Sequence, residues 1–192
     1  MKDEGFDVCL YRDPGDTPVG EAIRKLVKDP AIEMLPITQM LLYTAARAEL
    51  SARMQPWILG GGHVILDRWW PSTYAYQGMG GVDEDLILRL VEETTPQGPD
   101  PQHFMASPNL TFYIEVPVEV AMRRSGALDS AAAGIEHGKD RFEVQGRKFQ
   151  EDLAGMYERL VMMGRMRAVR GDILPVDLFA QHLWETFIRP EL

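Results

Sequence analysis

The chain has 192 residues, 45% hydrophobic and 26% charged, an ordinary globular composition that argues against disorder or a collagen-like repeat. Its 20 basic and 29 acidic residues give a net charge of -9, which argues against bulk binding to nucleic acid or an anionic membrane, since both need basic surface. No apolar run approaches the roughly 18 residues of a membrane span, the start Met1-Lys2-Asp3-Glu4-Gly5 lacks the apolar core of a secretory signal, and the lone Cys9 excludes an internal disulfide and points to a reducing, cytoplasmic setting.

Asp7 to Tyr11 reads as a first strand, with Cys9 expected to pack inside it. Arg12-Asp13-Pro14-Gly15-Asp16-Thr17-Pro18 follows. Ligands of open α/β sheets bind beyond the carboxyl ends of strands, so Arg12 is placed for an anion. The alternative is a plain strand-to-helix turn with Thr17 as cap. Gly20 to Lys28 reads as a short helix stopped by Asp29-Pro30, and Ile37 to Leu59 as a long one, kinked at Pro56 and ended by Gly60-Gly61-Gly62. Tyr43 and Arg47 lie four apart in it and share a face. The ring can stack on a base while the guanidinium reaches a phosphate, or the pair simply lines an amphipathic helix with Arg47 solvated.

His63 to Leu66 is the second strand, followed by Asp67-Arg68-Trp69-Trp70. A carboxylate there can hold Mg²⁺ or accept a proton, and a guanidinium can fork onto phosphate oxygens. A surface ion pair is the competing reading. Ser72-Thr73-Tyr74-Ala75-Tyr76-Gln77-Gly78 offers rings, hydroxyls and an amide, which suit a nucleobase or sugar. Asp83 to Glu93 is an amphipathic helix with Leu86, Ile87 and Leu90 on one side, and residues 94–109 form a Pro-rich insertion.

Leu110 to Val116 is a third strand, apolar at successive positions as in a parallel sheet covered on both faces. Val118 to Arg124 is a short helix. Residues 125–139 are small and Gly-containing, a lid-like loop or a linker. A long helix from Arg141 to Met163 opens at Asp140-Arg141-Phe142-Glu143, with Asp140 and Glu143 spaced as a capping box. Asp172 to Val176 is the expected fourth strand, and Phe179 to Ile188 a closing helix. Alternating strands and helices predict an α/β fold, one domain over 1–192 with a parallel sheet flanked by helices. The four histidines show no metal-ligand spacing.

In order, these blocks resemble the thymidylate kinase family. Arg12-Asp13-Pro14-Gly15-Asp16-Thr17-Pro18-Val19-Gly20-Glu21 stands where the family has R-E-P-G-G-T-P-x-G-E. Leu41-Leu42-Tyr43-Thr44-Ala45-Ala46-Arg47 is similar to L-L-[FY]-x-A-x-R. Asp67-Arg68, Ser72 and Ala75-Tyr76-Gln77-Gly78 follow D-R-x-x-x-S-x-x-A-Y-Q-G, and Pro108 to Val116 follows P-D-L-T-x-Y-L-D-V. Asp13 replaces the usual glutamate, and Asp16 a glycine. The resemblance implies a P-loop kinase-like fold, transfer of the ATP γ-phosphoryl to dTMP, Mg²⁺, and a homodimer. It implies that Tyr43 stacks on thymine, and that Arg47 and Gln77 help hold the base, with a reach of Arg47 to the 5′-phosphate left open. Arg12 and Arg68 would contact the acceptor phosphate, Tyr76 the deoxyribose or base, and Ser72 the pocket wall. Asp67 would act with Arg68 at the reacting phosphate and near the metal, which Glu143 would also approach, with Asp140 and Phe142 in support. The 125–139 loop, with Arg124, Lys139 and Arg141, would cover ATP.

No G-x-x-x-x-G-K-[ST] occurs in the 192 residues. Gly60-Gly61-Gly62 is no substitute, because it precedes a strand and no Lys-Ser/Thr follows. The family's first strand and phosphate loop are therefore expected to be missing here. A dNMP-binding or regulatory module without phosphoryl transfer stays open beside the kinase.

Overall fold

The computed structural model describes residues 5–94, 108–124 and 146–192. They fall into two compact units, Met1–Ser107 and Pro108–Leu192. Most of the Pro-rich insertion, the lid-like loop and the 140–143 block lie outside the described residues.

In the first unit, β1 (Val8–Arg12) and β2 (His63–Asp67) pair in parallel, Val8 opposite His63 and Arg12 opposite Asp67. Each strand runs one residue further than expected, so Arg12 and Asp67 are strand ends. Cys9 is half-buried and not fully packed. Helix α1 (Pro18–Lys28) starts at the expected cap, where Thr17 Oγ1 accepts the Gly20 N–H at 2.9 Å. It turns Ile23 and Val27 onto Ala46 of α2 (Pro36–Leu59), with Met34, Leu42 and Tyr43 packed around them. Full burial of such an aliphatic side chain is worth about 1.5–3 kcal/mol. Pro56 sits in the last turn of α2, and Gly61 at φ +83° lets the chain reverse. The Trp57 indole covers Gly62 and donates to the His63 carbonyl at 3.2 Å. A Cβ on Gly62 would lie 2.3 Å from that ring nitrogen, so the entry into β2 requires glycine.

Helix α3 (Trp70–Met79) has no counterpart in the expected elements. Its aromatic, hydroxyl and amide side chains carry no clear apolar period, and that period is the helix signal in sequence. Tertiary packing makes the helix, burying Trp70, Tyr74 and Ala75. The Tyr74 hydroxyl donates to the Glu84 carboxylate at the start of α4 (Glu84–Thr94). Of the three apolar residues expected on one face of α4, Ile87 is buried at 1% and Leu86 is exposed at 37%.

In the second unit, β3 (Phe112–Glu115) and β4 (Arg167–Arg170) also pair in parallel, Phe112 opposite Arg167 and Glu115 opposite Arg170. Between them lie α5 (Val118–Arg124) and α6 (Arg147–Met162). Of the four apolar residues expected at helical steps in α6, Leu153, Met156 and Leu160 are buried and Phe149 is half-buried. Tyr157 of α6 stacks on Tyr113, ring centroids 5.2 Å apart. The fourth strand is a correction: it is 167–170, upstream of the expected 172–176. Arg-Ala-Val-Arg buries only Val169 and writes no apolar run, whereas Pro175 begins α7 (Val176–Leu183). The closing segment passes from α7 through a π turn at Trp184–Ile188. Ile114 is 51% exposed, so β3 is not covered on both faces by the described residues.

The α/β class with parallel strands joined through helices holds. Among the described residues the strands form two two-stranded sheets, and no helix is long and apolar enough to cross a membrane.

Candidate active site

The carboxyl ends of β1 and β2 lie side by side, with Arg12 opposite Asp67 and the Asp13 N–H donating to the Asp67 carbonyl at 3.0 Å. Both chains then turn sharply. After β1 the Asp13-Pro14 peptide is cis and Asp16 has φ 57°. Side chains clamp this turn. The Asp16 carboxylate accepts the Arg12 N–H at 2.6 Å. Glu21 Oε1, reaching back from α1, accepts the Asp16 N–H at 3.1 Å and Arg12 Nη2 at 3.3 Å. The Asp16 N–H, followed by Arg12, holds the Glu21 carboxyl below its usual range against a desolvation effect. A Cβ on Gly15 would lie 2.9 Å from Glu21 Oε1, so the clamp needs glycine there.

After β2, Arg68 adopts φ 70°. That left-handed backbone costs a non-glycine residue about 1–2 kcal/mol, and such strain concentrates at functional positions. The exposed Arg68 guanidinium lies over the Tyr76 ring, 5.7 Å from its centroid, and donates to the hydroxyl at 3.5 Å.

Arg47 is not the solvated helix residue of the amphipathic alternative. Its side chain and that of Asp13 are 2% and 3% exposed. Arg47 Nε donates to Asp13 Oδ2 at 3.0 Å, Nη2 forms an ion pair with the same oxygen at 3.0 Å, and Nη2 donates to Thr73 Oγ1 at 2.9 Å. The guanidinium lies 5.3 Å from the Trp69 ring centroid. Burial pushes the Asp13 carboxyl above its usual range, while Arg47 and then Arg68 pull it back.

Helix α3 supplies two pairs at i, i+4. Ser72 and Tyr76 are half-buried; Thr73 and Gln77 are fully inside. Gln77 Nε2 donates to Gln39 Oε1 at 3.1 Å, and Gln39 Nε2 to the Met34 carbonyl at 3.4 Å. This chain fixes the orientation of the Gln77 amide. Arg12 Nε, Asp13 Oδ1 and Gln77 Oε1 are buried with no hydrogen-bond partner among the described residues. Buried polar groups are normally paired, so three unmet ones in this unit suit a polar ligand.

The first unit therefore brings Arg12, Arg47, Asp67, Arg68, Ser72, Tyr76 and Gln77 to neighbouring strand ends and helix turns. Tyr43 sits one turn before Arg47, with its ring packed on the Ile23–Val27 cluster. Arg124 belongs to the second unit, where it donates to the Gly171 carbonyl at 3.2 Å. Lys139, Asp140, Arg141, Phe142 and Glu143 lie outside the described residues. Sequence reasoning missed Thr73 and Gln39, and the pairing of Asp13. Reading 70–79 as a helix would have put Thr73 and Gln77 on one face. Among the described residues no three His, Cys, Asp or Glu side chains group as metal ligands. Mg²⁺ is commonly held by one or two carboxylates plus substrate phosphates, and the exposed Asp67 fits that smaller share.

Comparison with known proteins gives the family. A family model described as thymidylate kinase matches residues 1–170. The thymidylate kinase of Chlorobium luteolum (strain DSM 273 / BCRC 81028 / 2530) is 32% identical over 174 residues, covering 88% of this chain and 78% of that protein. That of Pseudomonas fluorescens (strain Pf0-1) is 35% identical over 175 residues, covering 90% and 76%. That of Ectopseudomonas mendocina (strain ymp) is 38% identical over 160 residues, covering 82% and 69%.

Proposed function

This chain belongs to the thymidylate kinase family, and on that footing we propose that it transfers the γ-phosphoryl group of ATP to dTMP. An oxygen of the dTMP phosphate attacks the γ-phosphorus, the bond to the β-phosphate oxygen breaks, and dTDP and ADP leave. The observation that supports this most is the placement of three arginines on neighbouring elements of the first unit. Arg12 ends β1, where Glu21 holds it; Arg47 comes from α2 and Arg68 follows β2, and the Asp13 carboxylate is bonded to Arg47 and within the field of Arg68. Phosphoryl transfer rests on positioning and on stabilising charge, and this arrangement offers both.

Arg12 and Arg68 take the acceptor phosphate, Arg12 held by Glu21 and Arg68 resting on Tyr76. Arg47 and Gln77 face the pyrimidine, Tyr43 stacks on it, Tyr76 closes on the sugar, and Ser72 lines the pocket. Asp67 sits where a carboxylate can orient the attacking phosphate or contribute an oxygen to Mg²⁺. That ion, when bound, neutralises charge shared between the donor phosphates. Roles for Glu143 toward sugar and metal, supported by Asp140 and Phe142, and for the 125–139 loop with Arg124, Lys139 and Arg141 toward ATP, rest on the family resemblance alone. A cytoplasmic homodimer completes the reading. On α2, Leu41, Ala45, Ala48, Ala52 and Leu59 form an exposed stripe at helical spacing, a face suited to a second copy.

The test is a coupled assay for ADP release with calorimetry of dTMP. Release that depends on dTMP, with saturable dTMP heat, is expected. Absence of both overturns the reading.

A further inference from the structure

Arg47 and Arg68 are both cations, yet their surroundings differ. Arg68 is exposed, and its guanidinium rests on the Tyr76 ring and hydroxyl. Arg47 is buried against a carboxylate whose Oδ2 accepts its Nε–H and forms an ion pair with Nη2. Thr73 takes a second hydrogen bond from Nη2, and Trp69 packs on the guanidinium. Nε and Nη2 are thus occupied within the protein, and Nη1 has no hydrogen-bond partner among the described residues. A planar guanidinium held at Nε and Nη2 has its remaining donors pointed in one direction.

We infer that Asp13 is a positioning residue: its carboxylate fixes the Arg47 guanidinium and balances its charge, so that Arg47 meets the nucleotide as an aimed hydrogen-bond donor to the uncharged base. The inference rests on the dTMP reading above. Two features support it independently of any ligand. The carboxylate is bound at Oδ2 alone, which leaves Oδ1 unpaired; a hold through one oxygen determines direction more than it saturates the acid. The network also spans three elements, the β1 end, α2 and α3, so the guanidinium is anchored to rigid parts and not to a loop.

The test compares thymidine, which has no phosphate, with dTMP, using calorimetry on the full chain. Asp13→Asn is expected to weaken both by the same factor, about tenfold, because the base contact is shared. Asp13→Glu, which keeps the carboxylate, restores binding to within about threefold. Thr73→Val, which leaves the ion pair, weakens both equally but less. The Arg47 Nε–H resonance is expected to be protected from exchange in the native chain and to lose that protection in Asp13→Asn. If Asp13→Asn binds thymidine as the native chain does, or loses dTMP alone, the inference is wrong. If Asp13→Asn does not fold, the thymidine-to-dTMP ratio in Thr73→Val decides by the same criterion. A native chain that binds neither compound would overturn the dTMP reading itself. A native chain that binds both while every variant matches it overturns only the role of Asp13.

Discussion

Replacing Arg47 with methionine removes the guanidinium and keeps most of the buried aliphatic stem. The native group makes two charge-assisted contacts to Asp13 Oδ2 at 3.0 Å, one to Thr73 at 2.9 Å, and a cation–π contact with Trp69 at 5.3 Å. Charge-assisted hydrogen bonds contribute about 1.5–3 kcal/mol each, and a desolvated cation–π contact about 2 kcal/mol. Against these stands the desolvation of Arg47, which the variant no longer carries. Removing one partner of a buried pair leaves the other charge uncompensated, and the net loss is about 3–5 kcal/mol. The sign with pH follows from Asp13. Its carboxyl is already raised by burial, and Arg47 is the strongest group pulling it down. Without Arg47 it rises further above its unfolded value of about 3.9. A raised folded pKa gives stability that is present below the unfolded value and lost as pH climbs through the folded one. The deficit of Arg47→Met is therefore largest at neutral pH and shrinks on acidification. Urea unfolding at neutral pH and about two units lower measures it. The double variant Arg47→Met with Asp13→Leu, which removes both charges, should recover much of the loss. A single variant within about 1 kcal/mol of native at neutral pH would refute the reasoning.

Arg68→Ala should abolish dTMP-dependent ADP release while leaving the fold intact, because the residue is exposed; near-native rates in the coupled assay count against a phosphate role. Thr17→Ala should lower the urea midpoint by an amount equivalent to about 1 kcal/mol, since the Gly20 N–H loses its acceptor. Glu21→Gln should remove a stabilisation that exists above the ordinary glutamate pKa of 4.5 and disappears as pH falls through the lowered folded value. Native and variant unfolding curves should then converge in acid, and curves that stay parallel would show that Glu21 does not titrate this way.

Turn chemistry and apolar period make part of this fold legible in the amino-acid sequence. Thr17, Gly60 and Gly61 bound their helices, and Leu153, Met156 and Leu160 face inward, because caps and the 3.6-residue repeat are local. The strand at 167–170 escapes such a reading because its ends are arginines and only Val169 is buried. The helix at 70–79 escapes it because its fold depends on neighbours that sequence does not place side by side. That helix is also the site's inner wall, so the two go unseen together. Arg12, Arg47 and Arg68 are identifiable singly, but the pairing of Asp13 with Arg47 joins residues 34 positions apart, and no local pattern encodes it.

Arg68 brings the two demands on this molecule into conflict. Glycine would occupy its left-handed backbone without steric penalty, at a gain of about 1 kcal/mol or less once chain entropy is counted. A library selected for heat tolerance alone should therefore admit glycine at 68, and one selected for turnover should return arginine. The codon retained there would report which pressure had acted on the lineage.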